Sequence, residues 1–329
     1  MIPDISIVVC TQNRAAMLRG ALASLYDLAT NGFTYEIVVI DNASTDDTPR
    51  VIAEAAQASA NPLRGIHEPE KGIVPARNRG IREARGKWIA FFDDDQLADR
   101  RWLAELNGGA RQKQCRVVGG SVHLTFPGGC ERQLAPNVRM LLGEARLGDQ
   151  PLAYGGRLTP GCGNLMVERG VFDEVGIFQW VLHGRGEDTD LFRRIEQAGI
   201  AAWYMPGAIV HHVTPAERLA DDYLLKLSRK MGEGVALRQA AALGRFRFGL
   251  LWLAKALRLL LVSYPQCGLA GLRGDREALL GQRCLAEINR AFLRTGCRWQ
   301  RRPSHSTGSL AGVGARQPVT SLFPGASAK

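Results

Sequence analysis

Short apolar, β-branched runs alternate with stretches of helical periodicity along the first ninety or so residues. Ile5–Cys10, Tyr35–Ile40, Leu63–His67 and Trp88–Phe92 read as strands. Between them, Ala15–Leu28, Pro49–Ser59 and Val74–Ala84 bring apolar residues back every three or four positions and read as helices. This alternation predicts an α/β fold with a mostly parallel sheet covered by helices on both faces. Ligands of such sheets sit beyond the carboxyl ends of the strands. The residues just past each run are therefore the ones to inspect: Thr11-Gln12-Asn13-Arg14, Asp41-Asn42-Ala43-Ser44 and Asp93-Asp94-Asp95.

From Thr125 to Pro160 the periodicity weakens, and a long loop region with one helix near Val138–Arg146 is expected. Order returns at Gly161–Val167, followed by a helix from Arg169, a helix over Glu187–Ala198, and two short strands, Ala201–Met205 and Ala208–Val213. Beyond Pro215 the pattern is wholly helical, through Leu219–Met231, Ala236–Leu243, Phe248–Tyr264 and Arg273–Thr295. The chain thus divides into a catalytic domain of residues 1–215, a basic helical extension over 216–302, and a Ser/Gly/Ala/Pro-rich tail over 303–329 that is expected to be disordered.

Charge sharpens this division. The net +10 is uneven: residues 1–215 hold 23 Lys and Arg against 25 Asp and Glu, whereas 216–302 hold 17 against 7. A basic, apolar segment from Arg245 to Tyr264 suits a helix lying in an anionic membrane interface better than a nucleic-acid contact. No stretch reaches the ~20 uninterrupted apolar residues of a spanning helix. Seven scattered cysteines without a C-x-x-C spacing suggest neither zinc nor a disulfide framework, and the N-terminus enters its first strand without a signal-peptide pattern. The expected location is the cytoplasm, with peripheral attachment to the inner face of the cell membrane.

Three carboxylates end the Phe91-Phe92 strand. Because alternate residues of an extended strand point the same way, Asp93 and Asp95 are candidates to share one divalent ion, Mg²⁺ or Mn²⁺. Asp41 ends another strand and is a candidate acceptor for a nucleobase N–H or ribose hydroxyl. Glu187-Asp188 opens a helix after the Gly184-Arg185-Gly186 hinge, where a carboxylate can act as a general base. Adjacent helical residues diverge by about 100°, so only one of the two faces a given substrate atom. His211 or His212 is a candidate third metal ligand, alternation allowing only one of them to face inward.

Taken together, Ser6-Ile-Val-Val-Cys-Thr11-Gln-Asn-Arg14, Glu36-Ile-Val-Val-Ile-Asp41-Asn-Ala-Ser-Thr-Asp46, Gly72-Ile-Val-Pro-Ala-Arg77-Asn78-Arg-Gly80, Phe91-Phe-Asp93-Asp94-Asp95 and Gly186-Glu187-Asp188-Thr-Asp190-Leu resemble the successive motifs of the family 2 glycosyltransferases, over about residues 4 to 213. The resemblance implies a GT-A fold, a nucleoside-diphosphate sugar donor, a divalent metal and inversion at the anomeric carbon. It implies that Thr11 and Arg14 lie near base and ribose, that Asp41 binds the base, and that Arg77 approaches the diphosphate. Asp93 and Asp95 would hold ribose and metal, with His211 as a further ligand, and Asn164 would line the sugar or acceptor site. Asp188 would be the base and Glu187 its orienting partner. The implied acceptor is a glycan or a lipid-linked or cell-envelope polysaccharide. A sugar nucleotidyltransferase would use a similar sheet and carboxylate pair but has no need of the Gly186-Glu187-Asp188 helix; a non-catalytic membrane-associated scaffold would require degraded motifs, and none is visibly degraded.

Overall fold

The computed structural model describes residues 2–129, 132–156, 158–181 and 186–300. The expected tail, 303–329, and the hinge residues Gly184 and Arg185 lie outside these. Among the described residues, nine strands form one mixed sheet. Strands β1 (Ile5–Thr11), β2 (Tyr35–Asp41), β3 (Leu63–His67) and β4 (Trp88–Asp93) are its parallel half, in the order β3-β2-β1-β4. The other half follows beside β4: β8 (Asn164–Glu168), β6 (Val117–Thr125), β9 (Ala202–Val213) and β5 (Gln96–Ala98), with the two-residue β7 (Leu152–Ala153) also on β9. Strand β8 runs antiparallel to both β4 and β6, while β6 and β9 are parallel.

The apolar runs are explained by burial on both faces. On β1, Ile5, Ile7 and Val9 join the core on one side, under α1 (Ala15–Ser24), α2 (Thr48–Ala58) and α4 (Trp102–Lys113). Val8 joins the other side, with α3 (Ile73–Glu83), α6 (Arg169–Val175) and α7 (Glu187–Gln197). Such doubly buried strands lose the polar alternation of a half-exposed one.

Two expectations are revised. The two final strands are a single bent strand, β9, which runs through Pro206-Gly207; its ladder with β6 shifts register between Gly120 and Ser121. The helix near 138–146 is only the short α5 (Pro136–Leu141).

The helical region is built on a long hairpin. Helix α8 (Asp221–Arg258) is interrupted at Gly244, whose backbone is non-helical with φ 69°, and continues through a single π-helical turn at Leu259–Ser263 into α9 (Tyr264–Leu272). Helix α10 (Arg276–Gln300) then packs back along α8. This region is not a detached appendage. Leu219, Leu224, Leu280 and Cys284 share a buried cluster with Leu124, Val138, Leu141 and Leu142 of the sheet domain. Arg132 ties the same junction, pairing with Asp221 and Glu277, each at 2.9 Å.

Candidate active site

Strand register alone gathers much of the site. β1 lies between β2 and β4, with Thr11 opposite Asp41 and Cys10 opposite Asp93, so three adjacent strands end side by side at a spacing of about 4.8 Å. Above them opens a cleft of about 1160 Å³. Thr11, Arg14, Arg77, Asp93, Asp95, Glu187 and Asp188 all line it, although they come from four separate segments of the chain.

The Asp triplet is arranged differently from the extended-strand expectation. β4 stops at Asp93 and the chain turns at Asp94 and Asp95 before β5. Asp93 stays on the strand, while Asp94 and Asp95 both meet Arg14, at 2.7 and 3.1 Å. Their charges respond accordingly. Burial pushes the Asp93 carboxyl up to about 6; Arg77 opposes this, and Asp95 and Asp94 add to it. Burial also raises Asp94, against the pull of Arg14. For Asp95 burial is outweighed by His212, Arg14 and Arg218, and the pKa falls to about 2.

Glu187 and Asp188 start α7 behind Gly186, whose φ of 109° favours glycine. Glu187 is committed: its Oε1 accepts from Arg77 Nη1 at 2.8 Å and its Oε2 from its neighbour Gly186 N at 2.9 Å. Burial beside Phe178 works against the Arg77 charge, but Asp93 and Glu187 outweigh it and the guanidinium stays protonated. Asp188 Oδ1 accepts from its neighbour Thr189 N at 2.7 Å. Burial raises the thiols of Cys10, to about 12, and of Cys162, so both stay protonated and neither is a nucleophile.

Three expected residues stand elsewhere. Asn164 is buried away from the cleft: its Oδ1 accepts from Trp102 Nε1 at 2.8 Å and its Nδ2 donates to Ser121 O and Ala208 O at 3.0 and 2.9 Å, which employs the side chain in joining β8 to β6 and β9. His211 faces out of the cleft, edge-on to His123 and 3.5 Å from Thr125 Oγ1. His212 is the histidine that lines the cleft, its Nε2 3.4 Å from Asp95 Oδ2 and 3.3 Å from Arg218 Nη1. Asp41 is buried at the cleft edge, accepting from Ser44 N at 3.1 Å, and its neighbour Asn42 lines the cleft instead.

Several contributors have no individual role in the sequence reading. Asn42 shapes one wall by accepting from Gly72 N at 2.7 Å and donating to Glu70 O at 2.6 Å. Asn78 clamps the segment before α7, donating to Phe178 O at 2.9 Å and accepting from Phe178 N at 3.0 Å. Two residues on, the exposed Trp180 lies across Gly72, where a Cβ would come within 2.5 Å of its ring. The opposite wall is α8, through Tyr223, Leu227, Lys230, Met231, Leu237 and Arg238.

The residues fit a divalent ion held jointly with a substrate. Among the described residues no three His, Cys, Asp or Glu side chains converge into a metal cage. Mg²⁺ and its like need no such cage, since one or two carboxylates plus substrate phosphates suffice. Asp93, half-buried and destabilised as an anion, and Asp95 are a donor pair of that kind. In the same corner the buried Gln96 Oε1 has no hydrogen-bond partner among the described residues.

Known proteins share this architecture. The family described as Glycosyl transferase family 2 matches residues 6–176, more than half of the chain. Glycosyltransferase AglE of Haloferax volcanii is 26% identical over 234 residues, covering 71% of this chain and 73% of its own. Succinoglycan biosynthesis protein ExoO of Rhizobium meliloti is 37% identical over 94 residues, covering 29% of this chain and only 26% of that relative. Mannosyltransferase PcManGT from Pyrobaculum calidifontis, solved in complex with GDP-Man and Mn²⁺, superposes with a TM-score of 0.59 at 17% identity, over 92% of this chain and 89% of that one. At that identity the likeness speaks for the GT-A fold.

Proposed function

Because the chain belongs to glycosyl transferase family 2, we propose that it is an inverting enzyme that moves a sugar from a nucleoside diphosphate to an acceptor hydroxyl in cell-envelope glycan assembly. The observation that carries this reading is the shared cleft: Asp93, Asp95, Arg77, Glu187 and Asp188 open onto one cavity. Donor-binding groups and a proton acceptor are thereby within reach of one substrate pair.

The donor base and ribose lie at the Thr11, Asp41 and Asn42 end. Arg14 acts mainly by fixing Asp94 and Asp95, to which it is bonded. Asp93 and Asp95 would hold a divalent ion, Mn²⁺ or Mg²⁺, and that ion would supply charge neutralisation on the leaving group. Arg77 offers a second, permanent positive charge to the same phosphates. The acceptor oxygen forms its bond to the anomeric carbon as its proton passes to an Asp188 carboxylate oxygen. The bond to the β-phosphate breaks on the opposite face, and its electron pair leaves on the nucleoside diphosphate. Glu187 is the positioning residue, since its tie to Arg77 fixes the start of α7.

A thermal-shift panel of nucleoside diphosphates, run with and without Mn²⁺, tests the donor class, because a ligand specific for the folded state raises its melting temperature. At least one member is expected to stabilise the protein in a Mn²⁺-dependent way; stabilisation by none overturns the reading. Asp188→Asn is expected to lower turnover by about 10²–10⁴-fold, the usual worth of a general base, while the nucleotide shift persists.

A further inference from the structure

One surface has no role in this chemistry. Along the distal part of α8 and the turn after it, Phe246, Leu250, Leu253, Leu257, Leu260 and Leu261 recur at steps of four, three, four, three and one, on one side of the helix. All are exposed, Phe246 at 80% and Leu261 at 71%. The opposite side is already satisfied by α10: Phe248 packs on Phe292 at 5.5 Å and on Trp299 at 5.3 Å, and Trp252 Nε1 donates to Leu293 O at 2.9 Å. The exposed leucines are therefore a face left over once internal packing is complete. Contiguous apolar surface of this kind marks an interaction site.

Charge selects the occupant. Between Glu233 and Asp275 there is no acidic residue, while Arg238, Arg245, Arg247, Lys255, Arg258 and Arg273 are all cationic. A seam for a partner helix is flanked by paired charges of both signs; flanks of one positive sign match anionic lipid headgroups. The structure also sorts the cations. Lys255 turns inward, 5.8 Å from the Phe292 ring centroid, whereas Arg247 and Arg258 are exposed beside the leucines. No helix among the described residues is long and apolar enough to cross a bilayer.

We propose that residues 245–272 seat the protein on an anionic bilayer with this apolar face embedded, and that the acceptor reaches the cleft from that bilayer along α8. The second half of this statement rests on the glycosyl-transfer reading of the cleft. Helix α8 connects the two places: Leu227, Lys230, Leu237 and Arg238 line the cleft, and the apolar face starts at Phe246, eight residues on and just past the interruption at Gly244. Leu243 is an exposed apolar residue on the way.

The test is flotation of the full chain with vesicles of phosphatidylcholine alone or with roughly a quarter phosphatidylglycerol, beside a Leu253→Glu/Leu257→Glu/Leu260→Glu variant. These leucines are exposed, so the variant is expected to melt as the wild type does and to keep its nucleotide-dependent thermal shift. The wild type is expected to float with the anionic vesicles, to stay below with the neutral ones, and to float at least tenfold better than the variant. Arg247→Glu/Arg258→Glu is expected to weaken flotation as well. Wild type that stays below with anionic vesicles, or a triple variant that floats equally well, overturns the proposal. Sedimentation of the wild type as a dimer that the leucine substitutions split, without flotation, assigns the face to a second copy of the chain and also overturns it. A retained nucleotide shift with no flotation counts against the bilayer alone; loss of the shift from the wild type counts against the sugar-transfer reading.

Discussion

At the scale of single residues, burial and partner geometry separate side chains that look alike in the sequence. Asn164 follows a glycine-rich turn and resembles a substrate contact, yet all its bonds are spent on Trp102, Ser121 and Ala208. Asn164→Ala would strand a buried indole N–H and two carbonyls, and is expected to destabilise the fold by about 2–4 kcal/mol, read as a lower denaturation midpoint. Asp93 behaves in the opposite sense. Its folded pKa is raised from 3.8 to about 6, chiefly by burial. The stability contributed by its neutral form is thus fully present below the unfolded value and is lost as the pH rises through about 6. In chelator-treated protein, Asp93→Asn is expected to melt a few degrees above the wild type at pH 7.5, with the gap closing toward pH 4. A gap independent of pH would contradict this.

At the scale of elements, what the sequence discloses depends on how evenly an element is buried. Strands β1, β2 and β4 are legible because both faces are covered, which leaves continuous apolar runs with the polar site residues stacked at their ends. Strand β9 is not, because Pro206-Gly207 looks like a break while the ladder merely shifts against β6. That irregularity also breaks the parity needed to choose between His211 and His212. The α8 wall was invisible for another reason: Lys230 and Arg238 belong to no motif and join the cleft only through the docking of α8 on α10 and α5. That docking depends on close backbone approach. A Cβ on Gly232 would come within 2.2 Å of Ile288 O, so Gly232→Ala must push α8 from α10. A loss of about 1–3 kcal/mol is expected, with transfer impaired at temperatures where the sheet domain is still folded.

At the scale of the whole molecule, the boundary expected at residue 215 separates neither the core nor the cleft. The cluster of Leu124, Val138, Leu141, Leu219, Leu224, Leu280 and Cys284 spans it, as do the ion pairs of Arg132. Truncation after Pro215 would expose the sheet-domain half of that cluster and remove one wall of the cleft. It is expected to give aggregation-prone protein without transferase activity, measured by light scattering and by initial rates, whereas the three leucine-to-glutamate changes leave both intact in solution. The contrast arises because the same helical region is indispensable at its root and solvent-facing toward its tip.

That shared cluster also sets the order of events during synthesis. Its last member, Cys284, emerges from the ribosome some 160 residues after Leu124, so the loop that closes it is long and closes late. A nascent chain can complete the parallel half of the sheet early, but the cavity acquires its far wall only when α10 arrives. The enzyme therefore first becomes competent only after the residues of α10 have emerged.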